Sequence, residues 1–280
     1  MSRSWRSRRA DFIAIAAGIS AAGTAGVAGS AAVVDVNTTT EAAIRGFATV
    51  AAGGNVLVAA TDTTVAYDIA GAVGLGFGGA GGAGAVAVSL ITKTTNALIE
   101  NNATVDADGN GPNLLGGAAT GTLTAAGYQL QAIRGVAVQA FSSETITGVA
   151  GSGAGGLYAG VAGGVTVEEI NAGALAAIRN GAAVDQNDAA TANSQQSVAV
   201  GARDSLTIVA VAGALGVGGV GVGAGIDVED LNNSTTAFIA DASVRAANAV
   251  AVDALSRQNI SRPPSRSAPA RSDSAAASRC

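Results

Sequence analysis

GVAGSAAVVDVNTTTEAAI, residues 26–44, returns in altered form at three later places in this 280-residue chain. Counting back 32 positions from four equivalent isoleucines gives windows that align without a gap: 12–44, 67–99, 146–178 and 207–239. The first glycine of the stretch recurs in each window, as Gly26, Gly81, Gly160 and Gly221. Internal similarity of this length predicts a repeat architecture, in which each unit buries its apolar face against its neighbours.

The apolar composition favours β structure with closely spaced backbones. Hydrophobic residues make up 49% of the chain, whereas aromatic residues make up 3% and charged residues 12%. Side chains this small suit flat, stacked β layers better than a bulky globular core. Larger and smaller residues also alternate with period two, as in Val209-Ala210-Val211, which is the spacing of a strand.

Each copy follows one pattern. A Gly/Ala stretch leads into an apolar run, and a polar cluster behind it, Asn37–Thr40 in the first copy, is interpreted as a turn. A short strand at Ala48-Thr49-Val50 and an alternating strand from Asn55 follow. We therefore predict an all-β fold, an elongated repeat array most consistent with a β-solenoid of the parallel β-helix kind, with disordered termini.

The charge distribution divides the chain into three segments. Residues 1–10 form a basic N-terminal segment with four Arg and no acid, and 11–255 are the four-copy Gly/Ala/Val-rich β repeat region. Residues 256–280 are predicted to be a disordered Arg/Ser/Pro/Ala-rich tail. The net charge is −5 and the repeat region is acidic, so no nucleic-acid partner is expected, because binding depends on neutralising phosphates.

Four stretches without a charged residue are long enough to cross a bilayer as helices: 12–34, 69–92, 145–167 and 205–226. Their glycines each cost a helix roughly 1 kcal/mol relative to alanine, and their period-two alternation indicates strands. We therefore predict that the chain does not insert into a membrane. The alternative is a membrane-active toxin segment, pore-forming or leukotoxin-like, whose Gly/Ala stretches insert into lipid.

The N-terminus is ambiguous. Arginines precede an apolar stretch that starts at Phe12, as in a signal peptide. The window 12–44 nevertheless aligns with 207–239, so we interpret the stretch as the start of the first repeat, and whether 1–34 include a signal stays open. On this interpretation the chain is an internal piece of a longer polypeptide.

Reactive side chains are scarce, and the chain is predicted not to be an enzyme. Histidine is absent and the lone cysteine is Cys280, so the usual triads and histidine–metal sites are missing. Paired acids stand at equivalent repeat positions, Glu168-Glu169 and Glu229-Asp230. Adjacent strand residues point to opposite faces, so these pairs are interpreted as solvent-facing acids at a turn.

One local motif suggests a cation. Residues 106–111, DADGNG, match the first half of an EF-hand loop, with Asp106, Asp108 and Asn110 as oxygen ligands. The second half departs from the motif, because Gly117 stands where the bidentate glutamate belongs. The motif predicts either a weak calcium loop or a polar hairpin turn, and no cofactor other than calcium is expected.

The repeat pattern resembles a known family. Gly26-Val27-Ala28-Gly29, then the run from Val33 to Ile44, then Ala48-Thr49-Val50, is similar to repeats of very large bacterial surface proteins, the leukotoxin-like and filamentous-haemagglutinin-like adhesins. The resemblance covers roughly 12–255 and is clearest at 26–50 and 221–244.

The resemblance implies an extended β-solenoid that is secreted or displayed on the bacterial outer surface. The implied function is a non-catalytic, structural and adhesive stalk. Its partner would be an unidentified receptor or glycan on a host cell or on another bacterium, and specificity would lie in inserted loops such as 106–130.

Overall fold

The computed structural model describes residues 2–113, 118–124, 127–186 and 192–261, and every regular element in them is a strand. The strands are β1 (Ser2–Ala22), β2 (Ala25–Ile44), β3 (Thr49–Ala52), β4 (Val56–Gly76), β5 (Ala80–Ile99), β6 (Thr104–Ala107), β7 (Ala118–Thr124), β8 (Gly127–Gln131), β9 (Arg134–Gly156), β10 (Ala159–Arg179), β11 (Ala183–Val184), β12 (Gln196–Val217), β13 (Val220–Ala240), β14 (Ser243–Val244) and β15 (Ala249–Ser261). The prediction of an all-β solenoid is confirmed.

Three parallel sheets run through the molecule; each of four coils contributes one strand to each sheet, and β15 adds a fifth strand to the first of them. Sheet A has the order β1-β4-β9-β12-β15, sheet B the order β13-β10-β5-β2, and the short sheet C the order β14-β11-β6-β3. Strands stack about 4.8 Å apart, so the five strands of sheet A rise only about 19 Å, whereas a strand of 21 residues is about 70 Å long. The long dimension of this part of the chain therefore lies along the strands.

The register of sheet B agrees with the repeat windows, whereas that of sheet A does not. Ile44, Ile99, Ile178 and Ile239 stack as the windows require. In sheet A, however, Phe12 pairs with Ala66 instead of Tyr67. The number of residues from a position in sheet A to the equivalent position in sheet B differs among the coils. It is the same in the first and third coils, one larger in the second and one smaller in the fourth. The gapless alignment is therefore wrong by one residue in the first halves of these two coils.

The polar cluster Asn37–Thr40 is not a turn, so that interpretation is wrong. It lies inside β2, where Thr38 and Thr40 point inward and donate hydrogen bonds to Asp62 Oδ2, at 3.2 and 2.8 Å. An interior carboxylate accepts these hydroxyl groups, so the polar residues stay extended. The turn follows Ile44, where Gly46 and Phe47 adopt φ angles of 68° and 62°.

Both ends of the repeat region extend further than predicted. Strand β1 begins at Ser2 because residues 2–10 pair with β4, so the basic segment is part of the solenoid. Strand β15 pairs with β12 as far as Ser261, beyond the boundary expected at 255. Residues 262–280 of the predicted disordered tail lie outside the described residues.

The longest insertion forms a hairpin. Strands β7 and β8 pair antiparallel, and the Tyr128 hydroxyl donates to the main-chain oxygen of Asp204 in β12. The guanidinium of Arg203 lies 5.2 Å from the ring centroid of Phe141 and 5.9 Å from that of Tyr128. These contacts hold the hairpin on the outer face of sheet A.

Candidate functional site

Next to the turn between sheets A and B, the two sheets approach so closely that only glycine, alanine and serine fit between them. We call this part the tip and define it as residues 15–31, 69–86, 149–165 and 211–226. Buried alanines such as Ala70, Ala85 and Ala150 form its core. A methyl group on Gly81 would overlap the main-chain oxygens of Gly155 and Gly74. The tip is therefore a thin double layer joined through backbone contacts.

The outer faces of the tip are apolar and exposed. Ile19 is 82% exposed, Val27 76% and Phe77, at the turn, 71%. Further exposed residues are Ile15, Leu157, Tyr158, Val161, Leu215, Val217, Val220, Val222 and Ile226. Contiguous exposed apolar surface marks a site of contact with a protein or a membrane. The tip contains no charged residue, and the seven or eight residues of each arm span about 23–26 Å.

Farther from the turn the interior of the solenoid is charged. Lys93 is fully buried, and its ammonium group lies 3.1 Å from Asp62 Oδ1 and 2.8 Å from Glu144 Oε1. Ser142 donates to Glu144 at 2.6 Å, and Asn233 donates to the nearby Asp204 at 2.9 Å. We call these groups the ion cluster. They link the second, third and fourth coils through side-chain contacts.

The cluster holds more acid than base. Three carboxyl groups, on Asp62, Glu144 and Asp204, face the single ammonium group of Lys93. Burial, and then the charge of Glu144, raises the pKa of Asp204 to about 7. Desolvation of the charged form thus disfavours ionisation of the third carboxyl group.

A second interior cluster lies between the ion cluster and the tip and contains only acids. Carboxylate oxygens of Glu168, Asp227 and Glu229 lie within 4.8 Å of one another. Glu168 is 1% exposed, and neither of its carboxylate oxygens has a hydrogen-bond donor. Burial, followed by the charges of Asp227 and Glu229, raises the pKa of Glu168 to about 8, and burial raises the pKa of Asp68 to about 6. We call these four residues the acidic cluster.

The raised pKa of Glu168 predicts that the protein loses stability as the pH rises. The folded chain holds a proton that the unfolded chain releases near its ordinary value of 4.5, so this stabilisation is complete below that value and lost as the pH passes about 8. We expect the free energy of unfolding to fall by on the order of 3 kcal/mol between about pH 5 and pH 9. Urea titrations measure this, and Glu168→Gln should flatten the decline. An equally steep decline in that variant would contradict the assignment.

The two acids of each pair point to opposite faces of their strand, as strand alternation requires. Glu168 and Glu229 stack in neighbouring coils and point inward, whereas Glu169 is outward and exposed. The interpretation as solvent-facing acids at a turn is therefore wrong: both pairs lie within strands, β10 and β13, and Glu168 and Glu229 face the interior. Sequence reasoning missed the cluster although its signal was present: equal repeat positions place the two glutamates one strand spacing apart, and Asp227, two residues earlier, shares the face of Glu229.

The predicted calcium-loop residues lie elsewhere, near sheet C. Asp106 lies in β6, and Asp108 and Asn110 follow in a loop. The main-chain amide of Asp108 donates to Ala52 O at 3.0 Å, and that of Asn110 donates to Gly53 O at 3.1 Å. The guanidinium of Arg134 donates to the main-chain oxygens of Gly109 and Gly111, at 3.2 and 2.5 Å. The calcium loop stays a prediction.

A polar cleft lies at the base of the inserted hairpin. It has a volume of about 370 Å³, and its polar lining comes from Asn113, Gln131, Arg134, Gln195, Ser197 and Asn248. Amide and guanidinium groups there offer several hydrogen-bond donors and acceptors to a ligand. Specificity was expected in segment 106–130, and the cleft lies beside its end.

Comparisons with known proteins find no match for this chain: no protein-family model, curated protein or solved structure matches it. The described residues also include no helix long and apolar enough to cross a membrane. The four charge-free stretches lie in strands and the turns between them, as their period-two alternation predicted.

Proposed function

We propose that this chain is a non-catalytic, adhesive stalk segment of a large bacterial surface or secreted protein of the leukotoxin-like or haemagglutinin-like kind. The observation that carries the proposal is the in-register stacking of coils in three parallel sheets. Because each coil repeats the backbone pairing of the last, further coils add without a change of fold, which is how a stalk gains length.

The outer surface supports a role in contact. The tip exposes large apolar side chains on both faces, and the cleft beside the hairpin offers hydrogen-bonding groups suited to a glycan. Its lining amides Gln131 and Asn248 belong to different coils, so a ligand there would bind across the stack. The partner is a receptor or glycan on a host cell or on a neighbouring bacterium, and the location is extracellular.

Adhesion of coated beads tests the proposal. Beads carrying the full chain should bind cultured epithelial cells or bacteria several-fold more than albumin-coated beads. Beads carrying the double variant Gln131→Ala/Asn248→Ala should bind less, whereas Gln258→Ala, in β15 and outside the cleft, serves as the matched control. Binding no greater than that of albumin would refute the adhesive role.

A second candidate function, membrane activity, is favoured by the tip itself. Its charge-free arms, about 23–26 Å long, approach the thickness of a hydrocarbon core, about 30 Å. Leakage of dye from vesicles of phosphatidylcholine and phosphatidylglycerol tests this function. Leakage that is lost in Ile15→Glu/Ile19→Glu, at two exposed tip positions, would favour the toxin over the stalk. Intact vesicles together with bead adhesion would favour the stalk.

A further inference from the structure

The acidic cluster has the spacing of ligands around one cation. The ligand oxygens of Glu168, Asp227 and Glu229 lie within 4.8 Å of one another. Calcium binds oxygens at 2.3–2.6 Å, so oxygens on opposite sides of one ion stand about 4.6–5.2 Å apart. Like charges held this closely repel each other strongly unless a proton or a cation lies among them. A proton and a cation are both consistent with this spacing, and the groups around Glu168 distinguish between them.

The buried carboxylate of Glu168 supports a cation site independently of the spacing of the oxygens. It is 1% exposed, both of its carboxylate oxygens lack a hydrogen-bond donor, and it points into the cluster. Unsatisfied buried oxygens are costly, and native proteins rarely leave them so. Gly148 in β9 leaves the space for this carboxylate, because a Cβ there would collide with Glu168 Oε1. The backbone opposite Glu168 thus accommodates an extended acidic side chain.

Within the described part of the chain, the charges that raise the pKa of Glu168 are negative. They come from Asp227 and Glu229 in β13 and from Asp68 in β4. Thr166, in β10 beside Glu168, uses its hydroxyl to donate to Asp227 Oδ1 at 2.7 Å, which fixes the orientation of that carboxylate. The ion cluster, with the buried Lys93, pairs with other acids, Asp62 and Glu144. A cation supplied from solution is the group that would neutralise this site.

We propose that Glu168, Asp227 and Glu229 bind one calcium ion inside the solenoid, at the base of the tip. Carboxylates in this number and spacing suit calcium, which accepts six to eight oxygens in flexible geometry, better than magnesium, which requires a compact octahedron at 2.0–2.1 Å. Asp227 and Glu229 are half-exposed in β13, so an ion reaches the buried Glu168 from that side. The site differs from the predicted loop at Asp106, Asp108 and Asn110, which lies near sheet C.

Calcium-dependent melting of the full chain tests this proposal. The protein is stripped with chelator and melted at about pH 8, where protons compete less with the metal, with and without about 1 mM calcium or magnesium. We expect calcium to raise the melting temperature by several degrees and magnesium to raise it much less.

Variants locate the ion. Glu168→Gln and Glu229→Gln should each abolish the calcium-dependent rise, and the second is at a half-exposed position that tolerates the change if the first does not fold. Asp230→Asn, at the exposed position next to Glu229 in β13, is the matched control and should retain the rise. The proposal is overturned if wild-type melting does not respond to calcium. It is also overturned if the response survives in the glutamate variants or disappears in the control.

Discussion

Replacing Gly81 by alanine should lower the free energy of unfolding more than the same replacement at the other glycines of β5. The added Cβ would overlap the main-chain oxygens of Gly155 and Gly74, which belong to the facing sheet and cannot rotate away. Relief requires the two sheets of the tip to separate, and overpacking of this kind costs about 3 kcal/mol or more. Urea unfolding followed by circular dichroism measures the loss.

Gly84 provides the matched control in the same strand. Its Cβ position faces outward and has no neighbour within 4 Å. Gly84→Ala should therefore leave stability unchanged or raise it by about 0.5 kcal/mol, because alanine restricts the unfolded chain. Similar losses at both positions would mean that the sheets of the tip are not in close contact.

Removing the buried ammonium group should cause a loss of comparable size. Lys93→Met leaves Asp62 and Glu144 buried without their cation, and breaking a buried ion pair from one side costs about 3–5 kcal/mol. The methionine side chain is close to lysine in length and fills the same space. We expect a lower midpoint in urea, measured at constant pH.

Neutralising the partners should restore stability. The triple variant Lys93→Met/Asp62→Asn/Glu144→Gln contains no unpaired charge at these positions and should recover most of the loss. Arg9→Met provides an exposed control, because the Arg9–Asp11 pair is solvent-accessible and should have no measurable effect. A triple variant as unstable as the single one would show that Lys93 acts through packing rather than charge.

Much of the fold could be predicted from the sequence, because coils that stack in register place similar side chains at equivalent positions of neighbouring strands. The sequence repeats therefore reveal the stacking. Ile44 and its three equivalents stack in one ladder, as the windows require. The register of sheet A could not be predicted in the same way. Turn lengths between the sheets differ by one residue, and a glycine-rich turn carries no periodic signal that would reveal the difference. A slip of one residue exchanges the inner and outer faces, so Tyr67 is outside where Phe12 is inside.

The interior charges were harder to predict than the fold. Asn37–Thr40 has the composition of a turn, but pairing with β5 and hydrogen bonds to Asp62 on the facing strand keep it extended. Glu168 looks like a surface acid until its alternation is combined with the repeat register. Tertiary contacts between sheets A and B decide both cases, and no local pattern contains them.

The ion cluster also limits how this array can change in copy number. The position of Lys93 is occupied by Thr38 in the first coil, Ala172 in the third and Asn233 in the fourth. Recombination between copies of a repetitive gene would lengthen or shorten the array freely if every coil were interchangeable. Here, loss of the second coil alone would leave Glu144 without its cation. The coils thus have a required order, set by one buried lysine, although their backbones are alike.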